Sequence, residues 1–254
     1  MKIVVLIKMV PDLVEELSIS PSGIELDTTW LRLKINEFDD HAIEQAILLK
    51  EQYGGEVTVL APEMEGVDDA LFTAAAKGAD RLIQLSGKFD NSWNNHALAR
   101  AFLPLAQELQ PDLVLTGVQA HNDLDGSLGP LVAALMGLPY VGYVAGVTVS
   151  DGVATIRKEY PAGLLAEMEV SLPAVLGIQA AEQPPRYVAF SKVRQSMKTT
   201  TLDERPAGES EPQGGVTVEH MFQPETGEGA TMLEGDLTQV TDKLVSILHE
   251  LDVI

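Results

Sequence analysis

The sequence contains no cysteine and few aromatic side chains, which make up 5% of its 254 residues. Without cysteine the chain has no disulfide framework, no thiol nucleophile and no cysteine-ligated zinc or iron–sulfur cluster. Basic residues are also scarce, because 17 lysines and arginines face 38 aspartates and glutamates, for a formal net charge of −21. This charge argues against nucleic acid or anionic lipid as the main partner, since both would be repelled.

Long apolar runs are absent as well. The first eight residues form a short apolar stretch that meets Pro11 almost at once. The stretch is too short for the core of a signal peptide and lacks the arginine- and serine-rich character of an organelle transit peptide. No segment approaches the length of about 18 uncharged apolar residues that a membrane-spanning helix needs. We therefore expect a cytoplasmic protein without membrane insertion.

Short β-branched runs alternate with longer segments of helical periodicity. This alternation is typical of an α/β fold with an open, mostly parallel twisted sheet and helices on both faces. Strands are predicted at 3–7, 56–61, 81–85, 112–116, 140–149, 153–158, 168–172 and 174–179, and helices at 39–53, 67–77, 94–109 and 127–136. The strands at 153–158 and 168–172 are expected to form a small antiparallel hairpin.

The periodicity fades after residue 182. The segment 183–215 is rich in proline, serine, threonine and glycine, which predicts an extended arm, and a glycine-rich tether follows it. A final amphipathic helix is predicted from residue 236 onward. We therefore divide the chain into an α/β domain (1–182), an extended arm and linker for partner contact (183–235) and a C-terminal amphipathic helix (236–254).

A polar, glycine-containing loop at 117–126 lies between a predicted strand and a predicted helix. Ligands bind at the carboxyl ends of strands in such sheets, and backbone amides at a helix start favour an anion. The amides in question belong to Gly126, Ser127, Leu128 and Gly129. A tight turn capped by Ser127 or Asp125 explains the same pattern and is favoured on local grounds. Asp123 and Asp125 also oppose a phosphate unless they point away.

Catalytic and metal-binding motifs are missing. The five histidines include no pair with metal-ligand spacing, and no Gly-x-Ser-x-Gly sequence is present. The acidic pairs at 39–40 and 68–69 stand where helices begin, so they are better explained as complements of the helix dipoles. We predict no catalytic residue and no metal site.

Several blocks follow one another in order along nearly the whole chain, at 2–12, 35–39, 42–46, 74–81, 112–120, 129–133, 171–175 and 185–187. Together they resemble the beta subunit of electron-transfer flavoproteins. The resemblance implies an adenine-nucleotide-hydrolase-like α/β domain, an FAD-carrying alpha subunit as obligate partner in a heterodimer, and no bond-making chemistry by this chain.

The resemblance also implies a nucleotide, AMP in most members and a second FAD in electron-bifurcating ones, and we expect AMP ahead of FAD. A further FAD would be shared with the alpha subunit. The implied adenine and ribose contacts are Leu6, Asn36, Glu37, Phe38, Asp39 and Ala61. The implied phosphate contacts are Gly117, Val118, Gln119, Ala120, His121, Asn122, Asp123, Leu124, Asp125, Gly126, Ser127 and Leu128.

A segment that recognises dehydrogenases follows a Pro-Arg-Tyr motif in that family. Here Arg186 and Tyr187 belong to the motif, and Phe190 stands at the place of the apolar anchor. The implied redox partner is an acyl-CoA-type or other dehydrogenase. An ordinary apolar residue that packs the arm down is the alternative explanation for Phe190.

The sequence departs from the family pattern at four places, one of which is the segment 121–125, where His-Asn-Asp-Leu-Asp replaces an acidic cluster with small polar residues. Val118 replaces a lysine or arginine, Glu37 replaces a proline, and Ser191-Lys192 replaces Pro-Asn. Loss of the cation beside the phosphates removes a charge-assisted contact of about 1.5–3 kcal/mol. These changes bear on which nucleotide is bound and leave the expected fold unchanged.

Our first hypothesis is an electron-transfer subunit without catalytic residues of its own, supporting electron transfer between dehydrogenases and a downstream acceptor through flavin. The second is a free-standing adenine-nucleotide-binding sensor on the same fold. An enzyme acting on adenylates is a third possibility, but the sequence offers no catalytic constellation for it.

Overall fold

The computed structural model describes residues 1–87, 89, 93–207, 214–225 and 229–253. Its central feature is a nine-stranded sheet, accompanied by a two-stranded antiparallel sheet. The strands are β1 (Lys2–Leu6), β2 (Met9–Pro11), β3 (Leu33–Ile35), β4 (Glu56–Pro62), β5 (Arg81–Ser86), β6 (Leu113–Gly117), β7 (Tyr140–Ser150), β8 (Val153–Tyr160), β9 (Leu164–Ser171), β10 (Ala174–Ile178) and β11 (Leu202–Pro206). The order in the large sheet is β11-β5-β4-β1-β6-β10-β7-β8-β9, and β2 pairs with β3.

The large sheet is parallel from β11 to β7, and antiparallel pairing adds β8 and β9 at one edge. Six α-helices occur in the described residues: α1 (Glu37–Tyr53), α2 (Val67–Lys77), α3 (Asn95–Leu109), α4 (Leu128–Met136), α5 (Phe190–Thr199) and α6 (Leu237–Glu250). The predicted α/β class, the mostly parallel sheet and the antiparallel hairpin are confirmed.

Two apolar layers cover the sheet, and β1 shows why its sequence is apolar throughout. Ile3 and Val5 pack in the cluster that contains α1 and α2, whereas Val4 and Leu6 pack in the cluster that contains α3 and α4. Because side chains alternate between the two faces of a strand, a strand covered on both sides is apolar at every position.

The prediction of an extended arm over 183–215 is wrong for residues 190–206. Helix α5 forms there and packs beside α2, and β11 pairs in parallel with β5 at the edge of the sheet. By compactness the chain divides into the units Met1–Met221 and Phe222–Ile254, so this segment belongs to the first unit. Residues 208–213 and 226–228 of the predicted linker, and residue 254, lie outside the described residues.

The direction of strand addition reverses beside β1. The chain adds β4 and β5 on one side of β1 and then returns through α3 to place β6 on the other side. In open α/β sheets such a reversal leaves a crevice outside the carboxyl ends of the two strands. The crevice between β1 and β6 is bordered by the segment after Leu6 and the loop after Gly117.

Candidate functional site

The carboxylate of Asp39, in the first turn of α1, joins three parts of this crevice. It accepts hydrogen bonds from the backbone amides of Lys8 and Gly117, both at 2.9 Å, and from Asn36 Nδ2 at 3.0 Å. Burial raises the pKa of Asp39 to about 6, although the three hydrogen bonds and the charge of Lys8 oppose the rise. The ends of β1 and β6 are thereby fixed against the start of α1.

Gly117 stands where β6 approaches α1 most closely. A Cβ atom at this position would overlap the carboxylate of Asp39 and lie 2.8 Å from Cβ of Phe38 and 2.9 Å from Nδ2 of Asn36. The Asn36 amide also donates to the carbonyl of Gln119 at 2.9 Å. Only glycine fits here, and the loop that follows is held on the same side chains.

The acidic side chains of the loop point into the protein. Asp123 forms an ion pair with Lys8 and accepts from Asn95 Nδ2 at 2.7 Å and from the Ala120 amide at 2.8 Å. Asp125 accepts from the amides of Asn95 and His96, at 3.3 and 3.2 Å, in the first turn of α3. Both carboxylates are therefore engaged by groups inside the protein, and that of Asp123 is neutralised by Lys8.

The start of α4 is an open helix end. Ser127 is its N-cap residue but makes no side-chain hydrogen bond to the helix. The side chain of Asp125 is engaged with α3, so neither residue caps α4 by its side chain as the tight-turn explanation requires. The first amides of a helix lack partners within the helix, and their dipoles favour negative charge. An anion at this end would meet Gly126, Ser127 and Leu128.

The sequence did not identify Lys8 and Asn95 as site residues. The side chain of Lys8 is about nine-tenths buried, and its ammonium also donates to Asn95 Oδ1 at 3.1 Å. Asn95 Nδ2 in turn donates to the carbonyl of Gly126 at 2.6 Å. The available signal was a lysine between the apolar residues Ile7 and Met9, where a strand covered on both faces has just ended. A lysine at such a buried place is almost always paired with an oppositely charged group.

The sequence-predicted contacts differ in their accessibility. Leu6 and Ala61 lie beneath the crevice with no exposed surface, and Val118 is buried with its amide bonded to the carbonyl of Ile178 at 3.0 Å. Phe38 and Ser127 are half-buried. The exposed members are Glu37, Gln119, His121, Asn122, Leu124 and Gly126.

His121 belongs to the rim of the crevice, close to the β2–β3 hairpin. Burial, followed by the nearby charges of Lys34 and Lys8, lowers the pKa of its imidazole, while a hydrogen bond with the backbone of Pro11 and the charge of Asp123 act in the opposite direction. The loop consequently carries a neutral histidine at pH 7.

The predicted recognition residues separate into two kinds. Arg186 is bound to α1, because its Nε donates to the buried Glu44 at 2.8 Å and its Nη1 donates to Glu51 at 2.6 Å. These hydrogen bonds raise the pKa of Arg186, and the bond to Glu51 has the larger effect. Tyr187 and Phe190 are instead 91% and 65% exposed. Arg194 covers one face of the Phe190 ring at 4.7 Å from the ring centre.

No helix in the part of the chain that the structure describes combines the length and apolar character needed to cross a membrane. The family model for the electron transfer flavoprotein domain matches residues 26–209. The chain is 30% identical to the electron transfer flavoprotein subunit beta of Methylophilus methylotrophus over 98% of both chains. It is 26% identical to the electron transfer flavoprotein subunit beta of Bacillus subtilis, over 98% of both chains. It is 32% identical to the electron transfer flavoprotein subunit beta of Clostridium acetobutylicum, over 76% of this chain and 74% of the relative. The chain therefore belongs to the beta-subunit family of the electron transfer flavoproteins.

Proposed function

We propose that this chain pairs with an FAD-carrying alpha subunit and holds AMP, or a second FAD, in the crevice between β1 and β6. FAD bound with the alpha subunit supplies the electron-carrying chemistry. The role of this chain is then to complete the heterodimer, to bind the nucleotide and to present a surface to the redox partner.

The observation that carries the nucleotide proposal is the inward direction of Asp123 and Asp125. Their carboxylates are used by Lys8, Asn95 and the start of α3. The outer side of the loop then presents backbone amides and small side chains at the open end of α4. Amides at a helix start are suited to a phosphate group because they donate hydrogen bonds without a desolvated cation.

The residues divide between the two ends of a nucleotide. Gly126, Ser127 and Leu128 would hold the phosphate, and the ammonium of Lys8 neutralises the carboxylate of Asp123 in the same loop. Adenine and ribose would lie beside Asn36 and Phe38, with the fully buried Leu6 and Ala61 as the floor beneath. The residues present fit a nucleotide, and the neutral state of His121 is compatible with either AMP or FAD.

A separate surface is proposed for the redox partner. Tyr187 and Phe190 are exposed aromatic residues, and Arg186 fixes the segment before them to α1. Large exposed aromatic side chains held by a rigid support are typical interface anchors. We assign this surface to an acyl-CoA-type or other dehydrogenase.

Mass spectrometry of the small molecules released by denaturing the protein, purified with its alpha subunit, tests the nucleotide proposal. We expect one AMP per beta chain, or a second FAD per heterodimer. Ser127→Asp would place a carboxylate at the phosphate position while keeping a good N-cap, so the fold is expected to remain and the nucleotide to be lost. Ser127→Asn is the matched neutral control and should retain the nucleotide.

Three outcomes would contradict parts of the proposal. Absence of any nucleotide from the parent heterodimer would remove the nucleotide assignment. Unchanged nucleotide content in Ser127→Asp would place the phosphate elsewhere. A chain that binds an adenine nucleotide but never co-purifies with an alpha subunit would favour the free-standing sensor.

A further inference from the structure

The hydroxyl of Thr116 is a buried polar group near the end of β6. The residue is 1% exposed, and its Oγ1 has no hydrogen-bond partner among the residues that the structure describes. Buried hydroxyls are normally bonded, because leaving one without a partner costs about 1–3 kcal/mol. An unsatisfied hydroxyl beside a proposed ligand site is therefore a candidate ligand contact.

Thr116 faces the first turn of α4. A Cβ atom built on Gly129, in that turn, would lie only 2.7 Å from Thr116 Oγ1. No side chain separates the hydroxyl from the backbone at this end of the helix. The hydroxyl thus lies directly beneath the amides to which a phosphate is assigned above.

The ring of Tyr140 fills a slot next to Thr116 that three glycines leave open. A Cβ atom on Gly129 would lie 2.8 Å from Cε2 of the ring, one on Gly142 would lie 2.6 Å from the hydroxyl, and one on Gly177 would overlap the hydroxyl. The absence of three side chains around one ring indicates that the ring has a fixed position.

The hydroxyl of Tyr140 reaches the level of Thr116. Tyr140 pairs with Val175 in the β7–β10 ladder, yet its hydroxyl lies against Gly177, two residues nearer the carboxyl edge. Gly177 pairs directly with Thr116. The ring therefore runs along the sheet beneath α4 and brings its hydroxyl toward the crevice.

The Tyr140 hydroxyl is a donor at neutral pH. Burial, with a smaller contribution from Tyr143, raises its pKa to about 12. Within the described part of the chain it makes no hydrogen bond, although the ring is half-buried. Thr116 Oγ1 and the ring that carries the Tyr140 hydroxyl thus both lie next to Gly129, in the first turn of α4.

We propose that the hydroxyls of Thr116 and Tyr140 form a phosphate subsite beneath the first turn of α4, with Tyr140 as a specificity-determining residue. This inference rests on the proposed function, since it concerns the same nucleotide. The two hydroxyls donate to phosphate oxygen where Val118 provides no cation. The subsite favours a nucleotide with a phosphate over the corresponding nucleoside.

Titration calorimetry with AMP and with adenosine tests this subsite on the full chain after its nucleotide has been removed. Tyr140→Phe deletes a single oxygen, and Thr116→Val replaces the hydroxyl by a methyl group of similar shape. Each should weaken AMP about tenfold or more, as expected for a hydrogen bond to a charged group, and change adenosine less than about twofold. Tyr160→Phe, on the exposed hairpin, is the matched control and should leave both affinities unchanged.

The same variants separate a ligand contact from a structural role. Because the two hydroxyls have no hydrogen-bond partner among the described residues, the thermal midpoint of the nucleotide-free variants should equal or exceed that of the parent. A marked fall in both midpoints would overturn the inference, as would unchanged AMP affinity or equal weakening of AMP and adenosine. A parent chain that binds neither AMP nor FAD would instead contradict the proposed function itself.

Discussion

The carboxylate of Asp39 stands where β1, β6 and α1 meet. Three donors converge on it, and yet its burial is severe enough to raise its pKa above the usual range. Both facts concern one physical balance: hydrogen bonds favour the ionised form, and removal from water disfavours it. Here desolvation is the larger effect, so the group keeps a proton to higher pH in the folded chain than in the unfolded one.

This balance predicts how stability depends on pH. Folding raises the pKa of Asp39 from 3.8 to about 6. The stabilisation that protonated Asp39 adds to the unfolding free energy is therefore fully present below pH 4 and is lost as the pH rises through 6. Urea titrations at a series of pH values give the unfolding free energies of the parent and of Asp39→Asn. Between pH 4 and 6, the unfolding free energy of the parent should fall relative to that of Asp39→Asn. Above pH 7 the difference between the two should be constant.

A difference that stays flat over this range would contradict the assignment of the raised pKa to Asp39. Asp69→Asn serves as the control, because this exposed carboxylate also lies in the first turn of a helix, α2.

Lys8 is the second residue on which the loop depends. Removing its ammonium in Lys8→Met would leave the carboxylate of Asp123 buried without its counter-charge. Breaking a buried ion pair from one side costs about 3–5 kcal/mol, so we expect a loss of that order in the unfolding free energy, with loss of bound nucleotide. Urea unfolding and nucleotide content measure the two effects.

A double variant tests whether the loss comes from the stranded charge. Lys8→Met with Asp123→Asn carries no uncompensated carboxylate, so it should recover part of the stability that Lys8→Met loses. Lys8→Arg keeps the charge and is the conservative control. A double variant as unstable as the single one would mean that Lys8 acts through something other than Asp123.

At the scale of elements, the sequence predicted what local composition determines. The central strands are apolar on both faces, and α2 was predicted with its observed bounds because Gly78, with a φ of 131°, stops it. Helix α5 was missed because it is polar and buries only Val193 and Ser196. Strand β11 was missed because its sequence LDERP is mostly polar, and its pairing with β5 across the sheet edge has no local signal.

The candidate site shows the same division. The loop was recognisable as a strand, a glycine-containing turn and a helix start, which are neighbours in sequence. The partners of Asp123 could not be recognised from the sequence, because Lys8 lies 115 residues away and Asn95 lies 28 residues away. The direction of the two acidic side chains therefore became visible only in the folded chain.

Helix α5 carries the prediction for the redox partner. Phe190 is its first residue and is largely exposed, so Phe190→Asp should leave folding and nucleotide content intact, with the new carboxylate tolerated at a helix start. Loss of an anchor of this kind should slow flavin reduction by an acyl-CoA-type dehydrogenase about tenfold or more in kcat/KM.

Phe190→Leu is the matched control for this experiment. It keeps an apolar side chain at the same position and should retain most of the rate. Transfer kinetics unchanged in Phe190→Asp would remove the recognition role of this residue, and equal losses in both variants would point to the aromatic ring rather than to its apolar character.

For the whole molecule, the net charge of −21 makes the distribution of the few cations important. Lys192, Arg194 and Lys198 are all exposed on α5, which carries no acidic residue. An acidic partner would be repelled by most of the surface and attracted at this helix. Such charge patterns orient encounters and raise association rates more than they raise affinity.

Helix α6 presents the final problem at this scale, because no residue of this well-formed amphipathic helix is buried by the part of the chain that the structure describes. It has a capping box at Asp236 and Gln239, and the apolar residues Leu244, Ile247 and Leu251 are exposed. An exposed apolar stripe at helical spacing is typical of a surface that another chain covers. We propose the alpha subunit as that chain.

A chain that ends at Met221 tests this assignment. The shortened chain keeps the whole compact unit Met1–Met221, which contains the proposed nucleotide contacts, so it should fold and retain its nucleotide. Its co-elution with the alpha subunit in size-exclusion chromatography should be lost or strongly reduced. In the full chain, Leu244→Asp with Ile247→Asp should have the same effect on association, whereas Ser246→Asp, on the opposite side of the helix, should not. Co-elution at full strength by the shortened chain would mean that the heterodimer forms without α6.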